Sequence, residues 1–390
     1  MIYLDNAATS WPKPACVRRA MLESFCHYGA NPGRGGYAMS MRTAEQIYRA
    51  RETAARLFGA PDAGSVAFTG GCTLALNMAI LGLVKPGQRV VVSSMEHNAV
   101  MRPVSVLQMQ GCEVAVASVM PGDDGATVAS FARLMTSGTA AVVCIHASNV
   151  TGEVLPIRRI GELAEARRIP FVVDAAQSAG MLPLDMTADH VDFLCVPGHK
   201  GLYGPLGTGM LITSGRYPLR PVITGGTGSH SVSLRQPEDL PDMVESGSIN
   251  VPGVLGLAAG MRWVEQQGIA SLHRQELALT RTLYTRLKDL PGLRVYGELP
   301  CEQHHVPVLS LNVIGLSSEE VASQLDRYGV AVRAGLHCAP AAHRRLGTLT
   351  TGTVRLALSA FTTPSEVDKV CEILAVIGKK TLQKSESMVQ

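Results

Sequence analysis

The chain has 390 residues, 46% hydrophobic and 17% charged, with a formal net charge of +3 at pH 7, enough apolar chain for a large core and, by size, two domains. A near-neutral balance without dense Lys/Arg runs interleaved with aromatics makes no electrostatic case for nucleic acid, so a small molecule is the expected partner. Nine scattered cysteines with no Cys-x-x-Cys pair argue against a disulfide framework or a zinc site, and no metal is expected.

The opening MIYLDNAATSWPKP lacks the basic start and apolar stretch of a signal peptide. Later apolar runs are too short and glycine-broken to cross a membrane, which predicts a cytoplasmic protein. From residue 65 to 213 short β-branched runs alternate with helical stretches: VAFTGG, TLALNMAILGLV, RVVVSS, a helix rich in Ala, Val, Leu and Met, CEVAVASV, AAVVCIHAS, a helix near 157–168, and PFVVDAA. Strands separated by helices predict right-handed crossovers and a largely parallel sheet covered on both faces. Ligands on such sheets sit at the carboxyl ends of the strands. Polar residues gather there at 69–73, 96–98, 148–149, 174–177 and 199–200, five places expected to converge on one crevice.

A Gly-rich polar stretch, 224–250, predicts a loop, and the apolar spacing of the following 35 or so residues predicts a long connecting helix. Strands near Leu293–Tyr296, Val308–Val313 and 330–334, with helices near 319–328 and 365–377, predict a smaller α/β domain. The expected boundaries are 15–260 for the large domain and 261–390, with 1–14, for the small one. The polar last dozen residues are expected to fray.

Lys200, in VDFLCVPGHKGLYGPLGTGML, follows an apolar strand among Gly198, Gly201 and Gly204. A lysine held in such a turn and partly desolvated suits a Schiff-base amine, although spacing alone fits a solvated loop lysine as well. Asp174 ends the strand IPFVVD, with Gln177 three residues on; it could face a pyridine nitrogen or cap the next helix. FTGGCTLALN sets two glycines and Thr73 between strand and helix, a place for a phosphate, yet Gly-Gly turns before helices are common. His97, after the next strand, could stack on a planar cofactor, shuttle a proton as a catalytic residue, or stand in a surface loop.

In combination and order, YLDNAAT, MEHNA, SNVTGEVLPI, VDAAQSAG, GHKGLYGPLGTG, RAGLHCAP and GTVRLALSAF resemble the class V aminotransferase-like, fold type I PLP enzymes over nearly the whole chain. Within them, the chain resembles the cysteine desulfurases and selenocysteine lyases. The resemblance implies a large PLP-binding domain with a mainly parallel seven-stranded sheet, plus a smaller C-terminal α/β domain. It implies that Lys200 holds pyridoxal 5'-phosphate as a Schiff base, Asp174 pairs with its pyridinium, Gln177 contacts its phenolic oxygen and His97 stacks on its ring. Cys72, Thr73 and His199 match cofactor-contacting positions, and Ser248 matches one that reaches the phosphate from the second subunit of a homodimer. Asn149, Arg355 and Arg333 match substrate-site positions, and Cys338 the sulfur-attacking cysteine.

Beside Cys338 stand Arg333 and His337, and a helix is expected from residue 339 or 340; positive neighbours and a helix N-terminus favour a thiolate. Arg355, 17 positions later, suits bidentate capture of an amino-acid carboxylate. Two residues depart from the family pattern: Pro197 stands where relatives carry Ser or Thr, and Cys72 where they carry Thr, which removes two hydroxyls from the expected phosphate cup. The short RAGLHCAP loop resembles the group II desulfurases, which often rely on a sulfur-acceptor protein. The expected activity is conversion of L-cysteine to L-alanine with a persulfide on Cys338. Alternatives are a lyase acting on L-selenocysteine or on cystine-like substrates, and a catalytically silent sulfur-transfer scaffold.

Overall fold

The structure is a computed structural model that describes residues 1–33 and 35–387, with side chains through residue 383. The chain divides into two compact units: a larger one of Lys13–His146 and Pro156–Gly268, and a smaller one of Met1–Pro12, Ala147–Leu155 and Ile269–Gln390.

After β1 (Ile2–Tyr3), part of the smaller unit, the chain enters the larger unit through α1 (Ala15–His27) and α2 (Ala38–Phe58). It then alternates β2 (Val66–Thr69), α3 (Cys72–Leu83), β3 (Arg89–Ser93), α4 (Asn98–Met109), β4 (Glu113–Ala117), α5 (Asp124–Leu134), β5 (Thr139–Ile145), α6 (Ile157–Ala166) and β6 (Phe171–Asp174). β7 (Phe193–Pro197), β8 (Gly209–Thr213) and α7 (Val251–Gln267) complete the unit. The strands form one seven-stranded sheet, ordered β2-β8-β7-β6-β5-β3-β4. Every pairing is parallel except those of β8, antiparallel to both β2 and β7, as the mainly parallel sheet expected from the sequence requires.

Central strands such as β5 (TAAVVCI) and β6 (FVVD) are buried on both faces and run apolar from Ala140 to Ile145 and from Phe171 to Val173 rather than alternating. Helix α3 buries Ala75, Leu76, Met78, Ala79 and Ile80. Helix α6 shows only a stripe, Ile157, Ile160, Gly161 and Ala164, at the spacing of one helical face. The strand order reverses between β3 and β5: β4 lies on one side, β6 and β7 on the other. A crevice outside the carboxyl ends of the strands at such a switch point is the preferred ligand site of a doubly wound sheet.

The expected single connecting helix is two helices, because Gly268 (φ 80) ends α7 in a conformation open to glycine. α8 (Ile269–Leu287) opens the rest of the smaller unit, followed by β9 (Leu293–Tyr296), β10 (Val308–Val313), α9 (Ser318–Arg327), β11 (Val330–Ala331), β12 (Arg333–Gly335), α10 (Pro340–Leu346), β13 (Thr353–Ala357) and α11 (Pro364–Ser387). Its antiparallel sheet runs β12-β13-β10-β9. The strand expected at 330–334 is divided: β11 pairs with β1, while β12 joins the sheet. Leu309, Leu311, Val354 and Leu356 pack with Val321, Leu325, Val370 and Leu374. The tail expected to fray is helical to Ser387; residues 388–390 lie outside the described residues.

Candidate active site

In the larger unit the polar groups at the strand ends gather around Asp174. This residue ends β6 and is 1% exposed. Its Oδ1 accepts the Ala176 N–H at 2.9 Å and the Cys72 thiol at 3.4 Å. Its Oδ2 is buried and has no partner among the described residues. A buried carboxylate oxygen without a donor is costly, so a ligand donor is the natural complement.

One strand over, β7 leads into the loop carrying Lys200. Gly198 N–H donates to Thr208 O (2.8 Å), Gly204 N–H to Gly198 O (2.7 Å) and Tyr203 N–H to Lys200 O (2.8 Å), closing a tight turn around a half-buried lysine. A Cβ on Gly198 would lie 2.2 Å from Thr208 Oγ1 and would displace the hydroxyl that donates to Pro205 O. Lys13 Nζ donates to His199 O at 2.8 Å and ties the same loop to the start of the unit. Burial lowers Lys13 to about 8. Burial, with the charges of Lys200 and Lys13, lowers His199 to about 4, so this imidazole is neutral at pH 7.

His97 caps α4, its Nδ1 accepting the Ala99 N–H at 3.0 Å, which puts the proton of the neutral ring on Nε2. Beneath it, Glu96 is fully buried, takes the Ser93 hydroxyl and the Ile145 N–H, and is pushed up to about 8 by burial. Gln177 is buried. Cys72 and Thr73 open α3, whose first turn points N–H groups and the positive end of the helix dipole outward. Ser248 is exposed and lines a cavity of about 260 Å³ with Thr69, Gly70, Leu74, Thr208 and Ser246; Lys200, Asp174 and His97 are not among its lining residues. Pro197 is the last residue of β7, paired with Gly209 of β8.

In the smaller unit Arg355, on β13, is buried, and desolvation lowers its pKa. It donates to Asp5 Oδ1 (2.9 Å) and to Asn149 O (3.2 Å), while its Nε is unpartnered among the described residues. Arg333 Nε donates to Asp5 Oδ2 at 3.1 Å, so one carboxylate bridges both arginines. Cys338 is exposed, and it and His337 are consecutive non-glycine residues with positive φ (55 and 49), a conformation costing about 1–2 kcal/mol per residue. Asn149 Nδ2 donates to His337 O at 2.7 Å, and the His337 ring sits 3.0 Å from Thr353 O and 3.1 Å from its Oγ1. These contacts hold the turn. Burial lowers His337 to about 3, correcting the sequence expectation that it is a positive neighbour of the thiol: it is neutral.

Of the five polar clusters, four belong to the larger unit, while Ser148 and Asn149 belong to the smaller. The sequence pattern assigns no role to Glu96 within its cluster, nor to Lys13 or Asp5, although Asp5 lies inside the YLDNAAT motif.

The larger unit's residues suit PLP: a buried carboxylate oxygen lacking a donor among the described residues for a pyridinium N–H, a lysine in a tight turn, the neutral His199 imidazole and a helix N-terminus for a phosphate. This sheet, with these groups at the carboxyl ends of its strands, defines a PLP-dependent enzyme of fold type I. The sequence profile of the family described as Aminotransferase class-V matches residues 2–370, and the chain belongs to that family. It is 34% identical over 386 residues to a probable cysteine desulfurase of Methanothermobacter thermautotrophicus, covering 97% of this chain and 94% of the relative. It is 32% identical to another from Pyrococcus abyssi, covering 97% and 94%. Among solved structures, the apo cysteine desulfurase of Thermococcus onnurineus NA1 superposes with a TM-score of 0.89 at 32% identity, covering 97% of this chain and 95% of that one. The cysteine desulfurase CsdA of Escherichia coli, in an S-sulfonic acid form, does so at 0.85 and 29%, covering 98% and 94%.

Proposed function

We propose that this chain is a PLP-dependent cysteine desulfurase that converts L-cysteine to L-alanine and carries the sulfur as a persulfide on Cys338. The observation that carries the assignment is the presentation of Cys338: of nine free cysteines only Cys26 and Cys338 are exposed, and Cys338 stands on a left-handed turn clamped by Asn149 and Thr353. Relatives named for desulfuration support cysteine, rather than selenocysteine, as substrate. The set of Lys200, Asp174, Arg355 and Cys338 speaks against a silent scaffold.

Lys200, Asp174, Gln177, His97, Cys72, Thr73, His199 and Ser248 are the residues assigned to hold the cofactor. When bound, PLP supplies an electron sink for charge developing on the substrate carbon skeleton. Arg355, with Arg333 and Asn149, receives the substrate α-carboxylate, a bidentate partner competing with Asp5 for the guanidinium. The Lys200 amine removes the α-proton as general base. The Cys338 thiolate attacks the substrate sulfur, forming an S–S bond as the Cβ–S bond breaks. Cβ gains a proton, so alanine leaves and the enzyme retains one sulfur atom for an acceptor protein.

We also propose a homodimer in which Ser248 reaches the second subunit's cofactor. Large apolar side chains exposed in and near the same loop, Val232 and Leu234 fully and Leu206 by two thirds, support a covered surface. No helix among the described residues is long and apolar enough to cross a membrane, in keeping with a cytoplasmic site of action.

The test is to incubate the PLP-loaded protein with L-cysteine or L-selenocysteine under reductant and to measure alanine and protein-bound persulfide. Alanine from cysteine, with a persulfide lost in Cys338→Ala, supports a desulfurase. Alanine from selenocysteine alone makes it a selenocysteine lyase, and none from either rejects both.

A further inference from the structure

Asp174 is in contact with Cys72, which stands where the resemblance implies Thr. The Cys72 sulfur lies 3.4 Å from Asp174 Oδ1 and 3.4 Å from Cys195 O, distances suited to a thiol donor shared between two oxygens. Only one backbone N–H, that of Ala176, also reaches Oδ1, whereas Oδ2 is buried with no donor among the described residues.

We infer that Cys72 is a positioning residue for the cofactor: its thiol donates to Asp174 Oδ1, fixes the rotation of the carboxyl group, and so leaves Oδ2 as the acceptor for the ring nitrogen of PLP. This rests on the assignment of Asp174 to the pyridinium. Burial, reinforced by Asp174 and Cys195 and opposed by Lys200, pushes the Cys72 thiol well up, so it remains a protonated donor across the working pH range. Glu96, Cys144 and Cys195, the other acidic groups near Asp174, are all pushed up by burial, and Lys200 is the cation whose charge reaches Cys72. A neutral donor on Oδ1 offsets part of the desolvation of the carboxylate without the full charge an arginine would bring.

Cys72→Ala and Cys72→Ser, alone and with Asp174→Asn, are compared in the purified protein by PLP titration and by the pH dependence of the visible absorption of bound PLP. A neutral hydrogen bond of ordinary strength predicts that Cys72→Ala weakens PLP binding by about three- to tenfold and moves the spectral pH midpoint. Cys72→Ser restores both to within about twofold, and Cys72→Ala has no further effect in Asp174→Asn, because the two act through one contact. A Cys72→Ala protein equal to the parent in affinity and spectrum overturns the inference. So does an affinity loss that is undiminished in Asp174→Asn, or one matched by a fall in the melting temperature of the PLP-free protein with the spectrum unmoved, which marks a packing role. Failure of every form to bind PLP overturns the cofactor assignment and this inference together. A normal Cys72 effect in a protein that releases no alanine from cysteine supports the inference while rejecting the desulfurase.

Discussion

Burial holds the His337 imidazole at about 3, so from pH 5 to 8 it is a neutral clamp on the turn that presents Cys338. Replacing it by Asn, which keeps a donor toward Thr353 but loses packing, is expected to lower persulfide formation by about three- to tenfold through misplacement of the thiol. The pH dependence of the rate is expected to stay where it was, since a group that does not titrate between 5 and 8 contributes no limb there. Rates from pH 5 to 9 for the parent and His337→Asn check this; a moved acid limb shows that the imidazole titrates. Asp174 and Lys200 stand out in the sequence because the first ends an apolar strand and the second follows one within three residues. The neutrality of His337 did not, because HC beside Arg333 looks the same whether the ring is wet or enclosed.

Helix α6 shows how packing overrides propensity within one element. Gly161 stands mid-helix, where Gly to Ala ordinarily stabilises by about 0.5–1 kcal/mol. Here a Cβ would lie 2.4 Å from the carbonyl oxygen of Asp189 and 3.0 Å from His190 Cβ, and backbone cannot yield as a long side chain can. Gly161→Ala is therefore expected to destabilise, by about 1–3 kcal/mol; a raised midpoint in urea unfolding refutes the close approach. Helix α9 behaves as its sequence says. Ser317 and Glu320 form a reciprocal cap, and Ser317→Ala is expected to cost about 1 kcal/mol, read as a lowered unfolding midpoint. The cap lies in four consecutive residues and was open to local reading, but the neighbour above Gly161 comes from a segment nearly thirty residues away.

Two buried groups of the larger unit give the whole molecule opposed pH dependences. His146 is lowered to about 4 by burial, below its unfolded value, so the unfolded chain binds the extra proton first and stability falls as pH drops from about 6.5 through about 4. Its fully enclosed ring makes that loss about 3 kcal/mol. Glu96 is raised to about 8, so the unfolded carboxyl ionises first and stability falls as pH rises from about 4.5 through about 8. Urea midpoints measured at saturating PLP are expected to fall on both sides. His146→Gln is expected to flatten the acid side, and Glu96→Gln to raise the midpoint at pH 8 while leaving that at pH 4.5 nearly unchanged. An unaltered pH curve in either variant removes that residue from the account.

The alternation of apolar runs with helical spacing was enough to set the parallel sheet, because period and strand-end polarity are local properties of the chain. Ordered motifs then placed Lys200, Asp174 and Cys338 within a PLP family. Where the chain breaks at Gly268, and how 330–335 divides between β11 and β12, depended on which strands stand beside them. The bridging of Arg333 and Arg355 by Asp5 and the turning of the Cys72 thiol onto Asp174 join residues 328, 350 and 102 positions apart. Such contacts, and the ionisation states that follow from burial, are decided only by tertiary structure, because desolvation and hydrogen bonding depend on what surrounds a side chain in space.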